Sequence, residues 1–373
     1  MSDSKSSAHI PTLDGFRAVS FLLVFVSHAG LGESIPGGFG VTVFFFLSGY
    51  LITTLLRKEQ QETGTVSLEH FYLRRALRIL PPFYLVLFVA SGLTALGVYD
   101  AKLEWRGVTA QALHMANYWA VVNGWPRGEA PGTNVYWSLA VEEHFYLLFP
   151  LLFLLLERMS FSNKKKALVL WALCAVIFVW RVILVSRGAD ETRTNVSSDT
   201  RVDSILFGCA LALAANPIVD PVPANETLWK WVLLPLGLLG LVFSFVYRGG
   251  AFRETARYSL QGIALVPVFV VGIRSPGFGL FKILNWRPIA FVGALSYSLY
   301  LVHYVVILGV QRHASSLPKA LQGALSLAIS LAVSWAIYLF VEKPCARLRK
   351  RFAQGLARDR VARDRVALGP APR

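Results

Sequence analysis

The sequence predicts an all-α protein, a polytopic transmembrane helical bundle of about ten spans with both termini in the cytosol. Three observations predict it. Of 373 residues, 55% are hydrophobic and only 16% charged, whereas a soluble domain carries about a quarter charged residues. The apolar residues gather in blocks of about 20, the length that crosses a bilayer as a helix. The blocks lack the period-two alternation of a barrel, and only helices or closed barrels satisfy the backbone in lipid.

The blocks fall near residues 16–31, 39–56, 79–98, 136–156, 167–186, 202–215, 229–247, 258–274, 289–310 and 320–341. The first follows a polar leader, residues 1–12, and has no small-residue cleavage site at its end. It reads as a retained span and not as a signal peptide. The sixth block is short. The stretch 105–122 fits a surface helix or a half-span. Gly, Pro and charged residues punctuate the connections. One membrane domain, 13–344, is expected, followed by a basic cytosolic tail, 345–373. No second soluble domain is expected. No internal repeat is evident, which counts against a transporter built from two similar halves.

The net charge of +15 is explained by topology better than by nucleic-acid binding. Arg57, Lys58, Arg74, Arg75 and Arg78, then Arg158 and Lys164 to Lys166, then Lys343, Arg347 and Arg349 to Arg351 flank the blocks. With the N-terminus inside, all these groups lie in the cytosol, as the positive-inside rule requires. The segments 187–201 and 248–257 carry arginines on the other side, against the rule. The expected location is the inner (plasma) membrane, with lipid as a partner. Cys174, Cys209 and Cys345 make no disulfide framework. No metal-ligand motif stands out, and no metal is expected.

Charge inside a span is costly and usually faces a watery cavity or a partner. The exceptions to an uncharged bundle are therefore informative. Arg17 and His28 in the first block are eleven residues apart, close to three helical turns, so they share a face about 16 Å apart along the axis. A neutral imidazole can be buried cheaply and titrates near neutral pH. His28 thus fits a proton acceptor, and equally a helix-packing histidine. Glu142 and Glu143 lie roughly 8 Å inward of Trp137, near the depth of His28. Either could orient an imidazole or make a structural ion pair with Arg181 or Arg201. Arg74, Arg75 and Arg78 suit the phosphates of a nucleotide-like ligand, although charge alone favours plain membrane anchoring. Ser48-Gly49 fits either close helix packing or a gap for a substrate arm. Ser296, Tyr300 and His303 share a helical face and serve each other or a reacting oxygen.

The ordered set of motifs resembles the membrane-bound acyltransferase 3 family. It comprises Leu13-Asp14-Gly15-Phe16-Arg17; Arg17 with ten residues before His28; Phe44 to Leu51; Phe71 to Pro81; Trp137 to Tyr146; Arg201-Val202-Asp203-Ser204 with Gly208; Ser296 to His303; and Glu342-Lys343-Pro344. The resemblance implies ten transmembrane helices, an acyl-coenzyme A donor and a hydroxyl acceptor. It implies His28 and Arg17 as catalytic residues, with Glu142 and Glu143 beside them. It implies a donor-binding segment at Arg74, Arg75 and Arg78, with Ser48 and Gly49 along the arm. Ser296, Tyr300, His303, Asp14 and Asp203 are then candidates for oxyanion or acceptor contacts. Two departures from the family pattern are His144, where Gln is usual, and Leu80, where Tyr is common. The expected acceptor is a surface polysaccharide, a lipid-linked glycan or a secreted metabolite such as a macrolide. The acyl group is acetyl by preference, passed directly or through an acyl-histidine. A second, periplasmic transfer would fall to another protein. The competing readings are a glycan or lipid transporter or flippase, and a non-catalytic scaffold.

Overall fold

The computed structural model describes residues 10–32, 36–125, 128–221, 225–349 and 351–352. Most of the polar leader and most of the basic tail lie outside the described residues. Among the described residues, regular structure is helical throughout. Each apolar block forms helix, and local chemistry sets the ends. α1 (Pro11–His28) opens on a proline and carries Asp14 in its first turn, where a carboxylate meets the positive end of the helix dipole. α2 (Gly37–Thr63) ends on Gly64 in the left-handed region at φ 74°, as helix C-termini favour. α3 (Leu68–Ala95) starts at Ser67, whose hydroxyl accepts from the His70 amide. It runs on through Pro81 and Pro82.

The stretch 105–122 is neither a half-span nor one helix. It forms two short helices, α4 (Trp105–Ala112) and α5 (Ala116–Asn123), broken where His114 takes a positive φ of 54°. Then come α6 (Trp137–Arg158), α7 (Asn163–Ser186), α8 (Glu191–Val196) and α9 (Ser198–Ala214). α10 (Glu226–Leu228) passes through a π turn at Trp229–Leu233 into α11 (Leu234–Val246). α12 (Gly250–Glu254) and α13 (Ala256–Arg274) follow, then α14 (Phe281–Leu284), α15 (Arg287–Ala294), α16 (Ser296–His313) and α17 (Lys319–Ile337). The block 289–310 is thus two helices, bent by 76° at Leu295. The bend lets α15 pack on the start of α1: a Cβ at Gly293 would lie 1.8 Å from the Asp14 carbonyl oxygen.

Seven helices among the described residues are long and apolar enough to cross a membrane, or eight if α15 and α16 form one span. α1 is diluted by Asp14, Arg17 and His28, and α9 has only 17 residues. Both are nonetheless central. α9 is buried along most of its length and meets α2 backbone to backbone. A Cβ at Gly49 would sit 2.0 Å from the Ile205 carbonyl oxygen, and one at Gly208 2.0 Å from that of Phe46. Only glycine permits this contact.

Several arginines that oppose the positive-inside rule are consumed by packing. Arg193 forks onto Asp199. Arg201, 1% exposed, donates to the Asn195 carbonyl (3.0 Å) and side-chain oxygen (2.9 Å). Arg181 bonds Asp203 at 2.7 Å with both side chains fully buried. A charge held by specific partners is not free to report on topology.

The connection between α5 and α6 holds Glu129, 4% exposed, neither of whose carboxylate oxygens has a partner among the described residues. Burial alone pushes its pKa up from 4.5 to about 7. Below pH 4.5 the acid is neutral both folded and unfolded, and its burial costs little. The cost grows as pH rises through that interval and levels off above about 7, at on the order of 3 kcal/mol. Glu129→Gln should raise the melting temperature in detergent at pH 8 and leave it unchanged at pH 4. An equal or lower value at pH 8 would mean that the carboxylate has a partner.

Candidate active site

A cavity of about 290 Å³ opens between α1, α2, α3, α6 and α16. Arg17, Lys58, Arg75 and Arg78 give it four cationic side chains, and Glu142 and Glu143 answer them from α6. Ser48 lies on its wall, donating to Glu142 Oε1 at 2.5 Å and accepting from the Tyr146 hydroxyl at 3.1 Å. The Arg75 guanidinium lies 5.9 Å from the ring centres of both Phe71 and Tyr146. Such aromatic faces hold a cation in place without neutralising it. Arg17 is tied to Asp14 at 2.6 Å.

The three arginines of the α3 segment do not act alike. Arg75 and Arg78 face the cavity, whereas Arg74 turns to Glu59 on α2 at 2.7 Å. Lys58 was missed by sequence reasoning because its position in a basic stretch is also what membrane anchoring produces. Ser296 and Tyr300 line the cavity as their shared helical face implied. Gly49 does not; it is spent on the α9 contact. Asp203 is held by Arg181 and Ser259 and is not on the cavity wall.

Neither glutamate orients His28. The imidazole instead meets a second imidazole: His28 Nδ1 lies 2.9 Å from His303 Nε2. The physical reason is that Glu142 and Glu143 are turned to the cavity, where Ser48 holds Glu142, whereas His28 is turned to α16 and is not on the cavity wall. His303 Nδ1 in turn lies 2.8 Å from the Tyr300 carbonyl oxygen, one turn back on α16. The His28 ring stacks on Tyr304, centroids 4.4 Å apart.

This chain of contacts fixes the protons. A carbonyl oxygen only accepts, so His303 Nδ1 carries a hydrogen. A neutral His303 then has a lone pair at Nε2, and His28 Nδ1 must donate to it. His28 is left with a bare Nε2, the atom that can take a proton or attack a carbonyl. The Tyr300–His303 spacing was visible in the sequence, but the partner of its far nitrogen was not.

Tyr300 also forms part of the cavity wall. Its hydroxyl lies 2.6 Å from Ser138 Oγ, and its ring meets Phe44 with centroids 5.9 Å apart. All three residues are on the cavity wall, and His28 is not. Among the described residues no group of three or more His, Cys, Asp or Glu is placed to hold a metal ion.

A family model described as "Acyltransferase domain" matches residues 10–339, from the start of α1 to the end of α17. The chain belongs to this acyltransferase family. The "Peptidoglycan O-acetyltransferase OatA" of Listeria monocytogenes is 29% identical over 326 residues, covering 81% of this chain and 50% of that protein. The "Putative O-acetyltransferase SACOL0978" of Staphylococcus aureus is 29% identical over 324 residues, covering 81% of this chain and 51% of that protein. The "Putative peptidoglycan O-acetyltransferase YrhL" of Bacillus subtilis is 29% identical over 356 residues, covering 90% of this chain and 55% of that protein. The chain therefore spans about half the length of the curated relatives it matches. No solved structure matches it. The helices, the family and these relatives together make it a multi-pass membrane protein.

The tautomer argument is directly testable. Nitrogen-15 spectra of histidine-labelled protein in lipid should show His28 protonated at Nδ1 and bare at Nε2. His303→Phe should scramble that preference. The opposite tautomer in the unmodified protein would remove the relay.

Proposed function

We propose that the chain is an O-acyltransferase of the plasma membrane. It moves an acyl group, acetyl by preference, from coenzyme A in the cytosol to a glycan hydroxyl reached from the far side. The observation that carries this reading is one continuous succession: a cation-lined cavity, Tyr300 at its end, then His303, then His28 with a free Nε2. We read the bundle as ten spans with both termini in the cytosol. The count adds α1, α9 and the bent α15–α16 pair to the seven helices that qualify by length and apolarity. Residues 13–344 then form the catalytic membrane domain, between a short cytosolic leader and a basic cytosolic tail.

In this reading the donor's phosphates meet Arg75, Arg78 and Lys58, where guanidinium groups grip phosphate oxygens in pairs. The thin pantetheine arm runs past Ser48 toward Tyr300. Glu142 and Glu143 keep the inner cavity from being uniformly cationic, which confines the phosphates to the arginine end. The Tyr300–Ser138 contact must open for the thioester to reach His28. His28 Nε2 takes the proton of the acceptor hydroxyl as its oxygen attacks the thioester carbon. The tetrahedral oxyanion takes hydrogen bonds from the released Tyr300 hydroxyl and from Ser296. Its collapse breaks the carbon–sulfur bond, and the leaving thiolate recovers the proton from His28. His303 spreads the transient positive charge. The names of the bacterial relatives favour a cell-wall glycan over a small metabolite as acceptor. They also favour chemistry over transport.

Membranes supplied with radiolabelled acetyl-coenzyme A should pass label to cell-wall glycan. His28→Ala should abolish that transfer, and His303→Gln should lower kcat by about 10- to 100-fold with the donor KM unchanged. Wild-type turnover in the His28 variant would remove it from the chemistry.

The arginines separate by face. Arg75→Ala and Arg78→Ala should each raise the donor KM about tenfold, the loss of one charge-assisted bond. Arg74→Ala, which frees only Glu59, should change it far less. Equal effects at all three positions would return them to the role of membrane anchors.

A further inference from the structure

A second cavity, of about 230 Å³, opens at the other end of α2. The first cavity runs along α2 from Val41 to Lys58; the second begins at Gly38 and Phe39. Asn195 from α8 and Arg248, Arg253, Arg257 and Gln261 from the region of α12 and α13 complete much of its wall. No carboxylate stands among its described lining residues. Glu191 lies 3.7 Å from Arg253 but is 60% exposed, and an exposed pair at that distance neutralises little. Arg253 Nε is buried without a partner.

The wall has a charged backing. Arg257 donates to the Tyr258 hydroxyl at 3.1 Å, and that hydroxyl donates to Asn195 Oδ1 at 3.1 Å. Behind both stands Arg201, its guanidinium 4.0 Å from the centre of the Tyr258 ring. Its hydrogen bonds go to Asn195 and Thr42, and its Nε has none. Among the described residues no carboxylate pairs with it. Three guanidinium groups, those of Arg248, Arg253 and Arg257, therefore line a polar hollow with Arg201 behind it, on the side of the membrane that topology would keep poor in arginine. A wall that carries three guanidinium groups and no carboxylate is electropositive, so the arrangement suits an anion. The hollow also adjoins the end of α1. A Cβ at Gly37, beside the lining Gly38, would sit 2.5 Å from Ser27 Cβ, and His28 is the next residue.

We propose that this second cavity is an acceptor subsite that binds an anionic group, phosphoryl or carboxylate, carried by the glycan. Arg253 and Arg257 contact the anion's oxygens, and Arg201 supplies the buried charge behind them. The proposal rests on the reading of the chain as an acyltransferase whose acceptor arrives at the His28 end. It adds the chemical class of that acceptor and gives the arginines of segment 248–257 a role. An anionic lipid headgroup has the same phosphoryl chemistry, and the test separates the two.

Inorganic pyrophosphate should raise the melting temperature of the purified full chain by several degrees at low ionic strength. The rise should persist in Arg75→Ala/Arg78→Ala, which excludes the first cavity, and vanish in Arg253→Gln/Arg257→Gln. The latter variant should keep its response to coenzyme A, which shows that it is folded. Its KM for an anionic glycan should rise tenfold or more, with the KM for acetyl-coenzyme A and for a neutral glycan of equal length unchanged. No difference between wild type and this variant with pyrophosphate would overturn the site. In bilayers, an unchanged glycan KM together with stabilisation by phosphatidylglycerol over phosphatidylcholine, lost in the variant, would overturn the acceptor assignment in favour of a headgroup. Intact pyrophosphate binding without acyl transfer to any glycan would overturn the acyltransferase reading and leave the anion site standing.

Discussion

A single hydrogen bond between two imidazoles, His28 Nδ1 to His303 Nε2 at 2.9 Å, constrains the rest of the candidate site. His303 is fully buried, and its other nitrogen faces a carbonyl oxygen of its own helix. That carbonyl cannot donate, so the direction of both hydrogen bonds is set by the backbone of α16 and not by solvent. A carboxylate in the place of His303 would have held His28 more strongly but would have buried a charge in the bundle, at a cost of several kcal/mol. A neutral ring gives the same tautomer without that penalty, and it shares the positive charge only while a proton is in transit. The two glutamates are left to the cavity wall, where Ser48 donates to Glu142.

The ionisable residues inside the bundle divide into two kinds. Arg181 with Asp203, and Arg57 with Asp220 and the Ala212 carbonyl, have their charge paired by the protein itself. These pairs tie α7 to α9 and α2 to the connection after α9, and they leave nothing for a ligand. Arg75, Arg78 and Lys58 are different: they stand on a cavity wall, and Arg75 is held by aromatic faces that leave its charge intact. Arg201 belongs with the second kind despite its burial, because tyrosine, asparagine and threonine hold it without cancelling it. A pair seen in sequence as "arginine within a span" acquires a meaning only when its partner is known.

That distinction sets the limit of what could be read from the sequence. The helical bundle followed from block length and composition, since lipid leaves the backbone few alternatives. The faces of α1 and α16 followed from helical periodicity, and Ser296 and Tyr300 reached the cavity as that periodicity required. Inferences that needed two helices at once fared unevenly. Ser48 of α2 and Arg75 and Arg78 of α3 share one cavity as expected, but depth says nothing about azimuth, and Glu142 is on the cavity wall while His28 is not. Arg74 and Arg78 share a helical face, yet Arg75 is the one that joins Arg78 on the cavity wall, because Glu59 captures Arg74. Gly49 fitted either a close helix contact or a passage for substrate, and it is the point where α2 and α9 touch.

The position of Tyr300 bears on a problem that any transfer across a membrane must solve. A passage joining the coenzyme A side to the outer side would leak ions and protons if it stood open. Here Tyr300, Ser138 and Phe44 stand together on the cavity wall, and His28 is not among its lining residues. Both hydrogen bonds of the Tyr300 hydroxyl are to groups on the α6 side, Ser138 and the Val135 carbonyl. Its carbonyl, which holds His303, is part of the helix and need not move when the ring does. Rotation of the side chain would thus leave the hydrogen bond from His303 to the backbone in place. Arg201 reaches from Tyr258 and Asn195 on the second cavity to Phe45 on the first.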